Sequence, residues 1–402
     1  MNKFNFCVKS ILPGCVISLT ACVEPFDAET LTFESALVIE ATITNEMKQH
    51  QVQLSRSYAF EEEGPEPVCS ATVLVEDDQG TEYLFEEAVA GTYVSRDAFA
   101  AQAGRNYRLK VTANGRFYAS ESAQLTPLAQ MDALYAERYT NDNGLEGVAI
   151  RVNASSPTGN AWNYRYTFEE TYKIIAPRWS PFRLVPLYPE DESQCEMIKV
   201  PREDENQVCY NTEPSRAILL TNTNNQIEDD VDGFIVRFIR RDNYIISHRY
   251  SILVRQMVQS DAAYTYFEQL ASFSGSESLF TETQPGFLEG NVFAQDEEQE
   301  KVLGYFDVVS VTEQRIFFNY DDLFPGEPLP PYVNPCRLNA PPIFGNGIPP
   351  PCVLRPMVEL KMVSYFGDNE GGQVGGPFLT VPFVCGDCTA LGNTGVPEFW
   401  SE

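Results

Sequence analysis

A chain of 402 residues has room for two or three domains. Its 57 acidic side chains against 28 basic ones leave a formal charge of −29, a field that repels nucleic acid and excludes a phosphate-backbone partner. With 43% hydrophobic and 12% aromatic residues it can build sizeable cores, which excludes global disorder.

The N-terminal stretch reads as an address. Lys3 and Lys9 flank and precede a short apolar run, residues 11–21, that ends in Leu19-Thr20-Ala21-Cys22. The run is too short to span a bilayer and closes on small residues, the pattern of a cleaved secretory signal. The same four residues fit a lipobox, in which Cys22 becomes the acylated N-terminus. Each buried methylene of such an anchor contributes about 0.8 kcal/mol. The expected division is a signal peptide over 1–21 and a lipidated linker over 22–32, made acidic by Glu24, Asp27 and Glu29. No later run is long and apolar enough to cross a membrane, so the chain reads as anchored rather than spanning.

Residues 33–126 predict an all-β unit. Short alternating runs are separated by turn residues: Asp78-Gln79-Gly80 between two apolar runs, and Asn114-Gly115 after Tyr107, Leu109 and Val111. About seven strands in ~90 residues predict an immunoglobulin-like β-sandwich. A larger β-rich domain is expected over 127–402, so the chain as a whole is mainly β. In it Trp162, Tyr164, Tyr166 and Phe168 recur with period two and read as a core face, with Asn163, Arg165 and Thr167 on the other side. Residues 176–212 predict a long irregular insertion, and 302–318 a hairpin. One clear helix follows a cap at Ser260 or Asp261, with Tyr264, Phe267, Leu270 and Ala271 on its buried face. A proline-rich tract, 325–356, holds 11 prolines and predicts a surface loop. Residues 358–366 and 378–384 are expected to complete the sheet.

Ten cysteines are present, of which Cys7 and Cys15 belong to the leader and Cys22 to the anchor. An exported chain meets an oxidising compartment, so the rest predict disulfides. We expect Cys195 to pair with Cys209, and Cys336, Cys352, Cys385 and Cys388 to pair among themselves in one of three ways, leaving Cys69 free.

No stretch spells out a reaction. His50 and His248 lie far apart without metal spacing, and neither a nucleophile elbow nor a phosphate loop occurs. Gly371-Gly372-Gln373-Val374-Gly375-Gly376 precedes a strand rather than a helix. Glu228 with Asp230, Val231, Asp232 and Gly233 resembles half a calcium loop, but the twelfth position, counted from Glu228, is Ile239. Cys385-Gly386-Asp387-Cys388 has redox spacing in a setting that predicts a structural role. No catalytic residue, metal or cofactor is expected, and the chain is not expected to be an enzyme.

The stretches 37–44, Leu54-Ser55-Arg56, 147–153, 164–172, Gly304-Tyr305-Phe306 with Val309-Ser310, and Cys385-Gly386-Asp387-Cys388-Thr389 together resemble the exported lipoprotein family of Bacteroidetes known as domain of unknown function 4249. The resemblance implies a surface lipoprotein beside a TonB-dependent outer-membrane transporter, and it carries no catalytic residues. The leading expectation is a non-enzymatic accessory subunit of such a transporter or of another outer-membrane barrel complex, lipid-anchored and exposed at the cell surface. A stand-alone ligand- or glycan-binding or adhesive module comes second, and a hydrolase third. A partner should meet the aromatics of the long loops: Trp179, Phe182 and Tyr188 in the insertion, Phe324, Tyr332 and Phe344 around the proline tract.

Overall fold

The computed structural model describes residues 35–58, 64–224, 230–275, 288–296, 300–370 and 375–402. The signal, the anchor Cys22 and the acidic linker lie outside the described residues, as do 371–374 of the glycine loop.

The first part of the chain contributes β1 (Leu37–Thr44), β2 (Gln51–Arg56), β3 (Glu66–Pro67), β4 (Thr72–Asp77), β5 (Glu82–Val89), β6 (Thr92–Ser95), β7 (Asn106–Ala113), β8 (Arg116–Ser120) and β9 (Ala123–Gln124). The middle contributes β10 (Gln130–Thr140), β11 (Glu146–Ser155), β12 (Asn163–Ile175), β13 (Phe182–Pro186), β14 (Met197–Pro201), β15 (Val208–Pro214), β16 (Leu219–Asn222), β17 (Asp230–Arg240), β18 (Tyr250–Gln259) and helix α1 (Asp261–Gly275). The last part contributes β19 (Val292–Ala294), β20 (Val302–Val309), β21 (Val311–Phe318), α2 (Tyr320–Leu323), α3 (Leu354–Glu359), β22 (Val363–Asp368), β23 (Phe378–Pro382) and α4 (Phe383–Gly386). The protein is mainly β.

Period-two patterning builds the N-terminal unit. On β7, Tyr107, Leu109, Val111 and Ala113 are buried while the residues between them face outward. Asn114 and Gly115, with φ of 52° and 76°, turn β7 into β8 as a two-residue hairpin requires. The expected sandwich takes the form of one hydrogen-bonded path, β19-β8-β7-β4-β5-β6-β2-β1-β20, with β3 on β2 and β9 on β7, curled into a nearly closed barrel. Residues beyond 126 thus supply two of its strands, and β20 joins β1 in parallel. Between β19 and β20 a side chain makes the link, beside a backbone bond from Thr126 N–H to the Val308 carbonyl at 3.4 Å. The buried Asn291 amide donates to the Phe306 carbonyl and accepts from the Phe306 N–H, both at 2.8 Å, and so substitutes for a missing strand. Gly304 permits the tight pairing beside it, since a Cβ there would sit 1.9 Å from the Ile39 carbonyl oxygen.

The second region packs the β10-β11-β17 sheet against the β15-β12-β18-β21 sheet, with β16 on β12. Its core holds Ile150, Val152, Tyr164, Tyr166, Tyr250 and Val254, so the aromatic period of β12 is a core face. On its flank the Glu170 carboxylate accepts from Tyr250 Oη and is gripped by Arg237, a buried acid with its partners in place.

Several expectations are corrected. Residues 302–318 form no hairpin: β20 pairs with β1 and β21 with β18. Nothing between the two strands can turn the chain, since only Ser310 separates them, and the run passes straight from one sheet into the other. The insertion is not irregular: β13 and β14 pair as a hairpin, and β15 joins the β12 edge. Ser260 does cap α1, accepting from Ala263 N–H at 3.1 Å, but the buried face is centred on Ala263 and Tyr266 rather than Tyr264, whose hydroxyl accepts from Asn222. β22 and β23 form their own two-stranded sheet instead of completing the larger one. α3 takes up the end of the proline tract, with Pro356 in its first turn, where a missing N–H is tolerated.

The disulfides are Cys195–Cys352, Cys209–Cys388 and Cys336–Cys385, with Cys69 free and exposed. The expected Cys195–Cys209 bridge is therefore wrong, and so is the closed cluster of four, since only Cys336 and Cys385 pair within it while Cys352 and Cys388 pair outside it, although all six candidates are bonded. β15 carries Cys209 into the core beside Cys388, while the hairpin sends Cys195 the other way. Buried Arg355 holds it there. That guanidinium donates to the carbonyls of Tyr188, Pro189, Asp191 and Gln194, which sets the chain before Cys195 against α3 and the neighbouring Cys352.

The closure by Asn291 yields a prediction. Asn291→Ala leaves a buried N–H and a buried carbonyl of Phe306 unpaired, which costs about 2–4 kcal/mol. Urea unfolding should show that loss, together with faster amide exchange at Phe306. Unchanged protection there would mean that the barrel closes without this side chain.

Candidate functional site

The crossing from β20 to β21 is a pinned seam. Ser310 N–H donates to Thr126 Oγ1 at 2.9 Å, and Val311 N–H donates to Asn45 Oδ1 at 2.8 Å. Thr126 Oγ1 in turn donates to the Val258 carbonyl at 2.9 Å. The barrel and the second region therefore meet at fixed positions, and a cleft of about 790 Å³ opens between them. Such a volume lies within the range of small-ligand sites.

The barrel wall of the cleft comes from Glu40 and Thr42 on β1, Lys48, Gln49, His50, Gln51 and Gln53 at β2, and Gly304 and Tyr305 on β20. The opposite wall comes from Arg165 and Thr167 on β12, Ser215 and Arg216 after β15, and Tyr266, Phe267 and Leu270 on α1. The polar face of β12, which period two sets opposite Tyr164 and Tyr166, thus looks into the cleft and not into open solvent. An aromatic cluster lies over it. The Tyr266 and Tyr305 rings are 5.1 Å apart and the Phe267 and Tyr305 rings 6.1 Å, and the Arg165 guanidinium lies 4.1 Å from the centre of Phe267.

The electrostatics of the seam are unbalanced. Arg165 makes no ion pair among the described residues, and its Nε is buried without a hydrogen-bond partner. Burial pulls its pKa down while Asp307 and Glu40 oppose that, and a guanidinium in such a setting stays cationic at neutral pH. Asp307, fully buried on β20, has an unpartnered Oδ2. Burial pushes its pKa up to about 6, with Arg165 and Gln259 opposing the rise. Gln259 stands beside it outside hydrogen-bonding geometry, with both amide atoms unpartnered. His50 is a core histidine by its packing: Nε2 lies 2.9 Å from the Phe99 carbonyl and the ring is set edge-on to the Phe99 ring. Burial holds its pKa below the usual value, and Nδ1 is unpartnered.

The expected partner-binding aromatics divide. Phe324 is buried, stacked on Tyr320 and covered by Arg138 and Arg241. Trp179 and Tyr332 pack against the second core, and Tyr332 Oη donates to the Val384 carbonyl at 2.9 Å. These three are packing residues in the folded chain. Phe182, Tyr188 and Phe344 are exposed, at 37%, 50% and 49%. The sequence carries no signal for the cleft residues, since Arg165 reads there as one polar position in an alternating strand. Asp230 and Asp232 belong to β17, and among the described residues no group of three or more His, Cys, Asp or Glu is placed to hold a metal. Cys385 and Cys388 bond to different partners, so that spacing serves the structure. No helix among the described residues is long and apolar enough to cross a membrane, which says nothing of membrane-spanning barrels.

Fold and site together define a mainly β protein in which a nearly closed barrel-like sheet and a second β region enclose a polar, aromatic-lined cleft. The chain belongs to the family described as Domain of unknown function (DUF4249), whose model matches residues 23–315. The cleft-lining residues all fall within that match, whereas Cys336, Cys352, Cys385 and Cys388 lie beyond it. Among curated proteins, none matches the chain.

The buried carboxyl gives a pH-dependent prediction. The native state binds the Asp307 proton more tightly than the unfolded chain does, so its contribution to stability is fully present below its ordinary value of 3.8 and is lost as pH rises to about 6. A gap of about two units corresponds to about 3 kcal/mol. Asp307→Asn should match the parent near about pH 3.5 and exceed it in stability by about 2–3 kcal/mol at about pH 7.5, read by urea unfolding. A difference that does not change with pH would show that Asp307 is not held protonated by its surroundings.

Proposed function

We propose that this chain is an exported, lipid-anchored, non-enzymatic protein of the outer-membrane surface that serves as an accessory subunit of a TonB-dependent transporter or another outer-membrane barrel complex. The observation that supports export best is the set of three disulfides, two of which join residues 157 and 179 positions apart. Such bonds form and persist in oxidising compartments. The lipobox at Cys22 and the acids after it support the anchor and the surface location. Docking on a partner is supported by exposed apolar side chains on the stapled segments, with Phe182, Tyr188 and Phe344 joined by Ile348 and Leu360. The non-enzymatic reading is supported by the packing of His50 and by the structural use of Cys385 and Cys388.

A second reading, a stand-alone ligand- or glycan-binding or adhesive module, is favoured by the cleft at the seam. It is formed by this chain alone and needs no barrel to complete it.

Both readings meet one set of measurements on cells. Protease added to intact cells should cleave the protein, and Cys22→Ala should move it out of the membrane fraction. Affinity capture of the native lipoprotein should recover a barrel in stoichiometric amount. Capture without a barrel would leave the stand-alone module, and protection until lysis would place the chain on an inner surface. Turnover across a broad substrate panel would overturn the non-enzymatic reading.

A further inference from the structure

The cleft has a sign opposite to the rest of the molecule. A chain with 57 acids and 28 bases lines this one space with Lys48, Arg165 and Arg216 against Glu40 alone. Lys48 is committed to Glu46 at 2.7 Å, but neither Arg165 nor Arg216 makes an ion pair among the described residues. The two differ in setting: Arg216 is exposed at the rim, and Arg165 is set deep, fixed by the Phe267 ring and with Nε unpartnered. Asp307 and Glu40 act on Arg165 through space without forming an ion pair or hydrogen bond with it, so the cation is only partly compensated, and an incoming anion in contact with it completes that compensation.

The remaining lining describes the body of the ligand. Tyr305 and the part of the Phe267 ring that Arg165 does not cover offer apolar surface, on which a ring with axial C–H groups packs. Around them stand amides and hydroxyls, Gln51 and Thr167 among them, which suit a ligand rich in hydroxyl groups. A cavity of about 790 Å³ has room for a few sugar rings and not for a folded partner.

We propose that this cleft binds an acidic oligosaccharide, one to three sugar rings with at least one carboxylate paired to Arg165, the sugar faces resting on Phe267 and Tyr305 and Arg216 drawing the anion in from the rim. The proposal rests on the binding reading of the seam cleft and not on the existence of a barrel partner.

The test uses the full chain in detergent and isothermal titration with trigalacturonate. Its fully methyl-esterified form, neutral maltotriose and a triglutamate peptide serve as comparisons. We expect trigalacturonate to bind, to weaken as salt is raised, and to bind about tenfold or more tighter than the ester, since a charge-assisted bond to a desolvated arginine is lost with the ester. Arg165→Gln should weaken trigalacturonate binding at least about tenfold and leave ester binding nearly unchanged. Arg216→Ala, at an exposed position that the fold does not depend on, should weaken binding a few-fold and flatten the salt dependence. This second variant keeps the test decisive if Arg165→Gln does not fold. Equal binding of acid and ester, or of maltotriose, would overturn the acidic assignment and leave a binding module standing. Preference for the peptide would overturn the saccharide. No binding by any of the four to a chain that still captures a barrel would overturn the cleft as a ligand site and leave the accessory reading intact.

Discussion

Everything in this molecule hangs on a chain segment that does not turn. β20 runs parallel to β1 in the barrel, and one residue later β21 runs antiparallel to β18 in the second region. A parallel pairing demands a long crossover, and the chain between β1 and β20 supplies it with most of the second region. The barrel therefore cannot finish until the second region is in place, and β21 cannot find β18 without fixing where β20 lies. Thr126, Asn45 and Ser310 set the joint by hydrogen bonds to backbone at the crossing point. Domains linked through an exposed flexible connection move as a default, whereas a shared strand fixes the angle between two sheets. A cleft bounded by both sheets is preformed for that reason, and a preformed site does not add an ordering cost to binding.

The seam differs from the buried charges at Glu170 and Arg355 in how it is satisfied. Glu170 is matched by Arg237 and Tyr250, and Arg355 is spread over four carbonyl groups. Those groups hold elements together and have no capacity left for a ligand. Arg165, Asp307 and Gln259 are close enough to influence one another and still keep buried atoms without partners. Fully satisfied networks stabilise a fold, while partly satisfied ones mark a place where structure has been subordinated to another requirement. The contrast within one chain makes the seam stand out from the general acidity that surrounds it.

The legible part of the sequence was the local part. Period two in β7 and β12, the Asn114-Gly115 turn and the Ser260 cap each depend on residues close in sequence, and each is found in the structure. What could not be read were pairings between distant strands. The run at 302–318 has the composition of two strands, and two adjacent strands are most often a hairpin; only the absence of a turn residue around Ser310 signalled otherwise. Cys195 and Cys209 are neighbours in sequence, and their true partners follow from Arg355 and from the β12–β15 pairing, both non-local. Trp179, Phe324 and Tyr332 look like loop aromatics until the loops are seen folded against the second core. Arg165 was hidden in a different way: an outward position on a strand signifies solvent only if no second sheet covers it.

This last point separates the two surfaces on which function has been argued. The exposed aromatics Phe182, Tyr188 and Phe344 belong to a stapled outer layer whose disulfides reach as far as Cys388. The cleft belongs to the joint between the sheets, and each of its lining residues falls within residues 23–315, the part that the family model matches. Contacts on the outer layer depend on covalent staples for their shape, and those on the cleft walls depend on strand pairing and the pinned crossing. A partner on the outer layer and a ligand in the cleft would therefore draw on physically separate supports. The two roles are compatible in one chain, since neither uses the residues that hold the other in place.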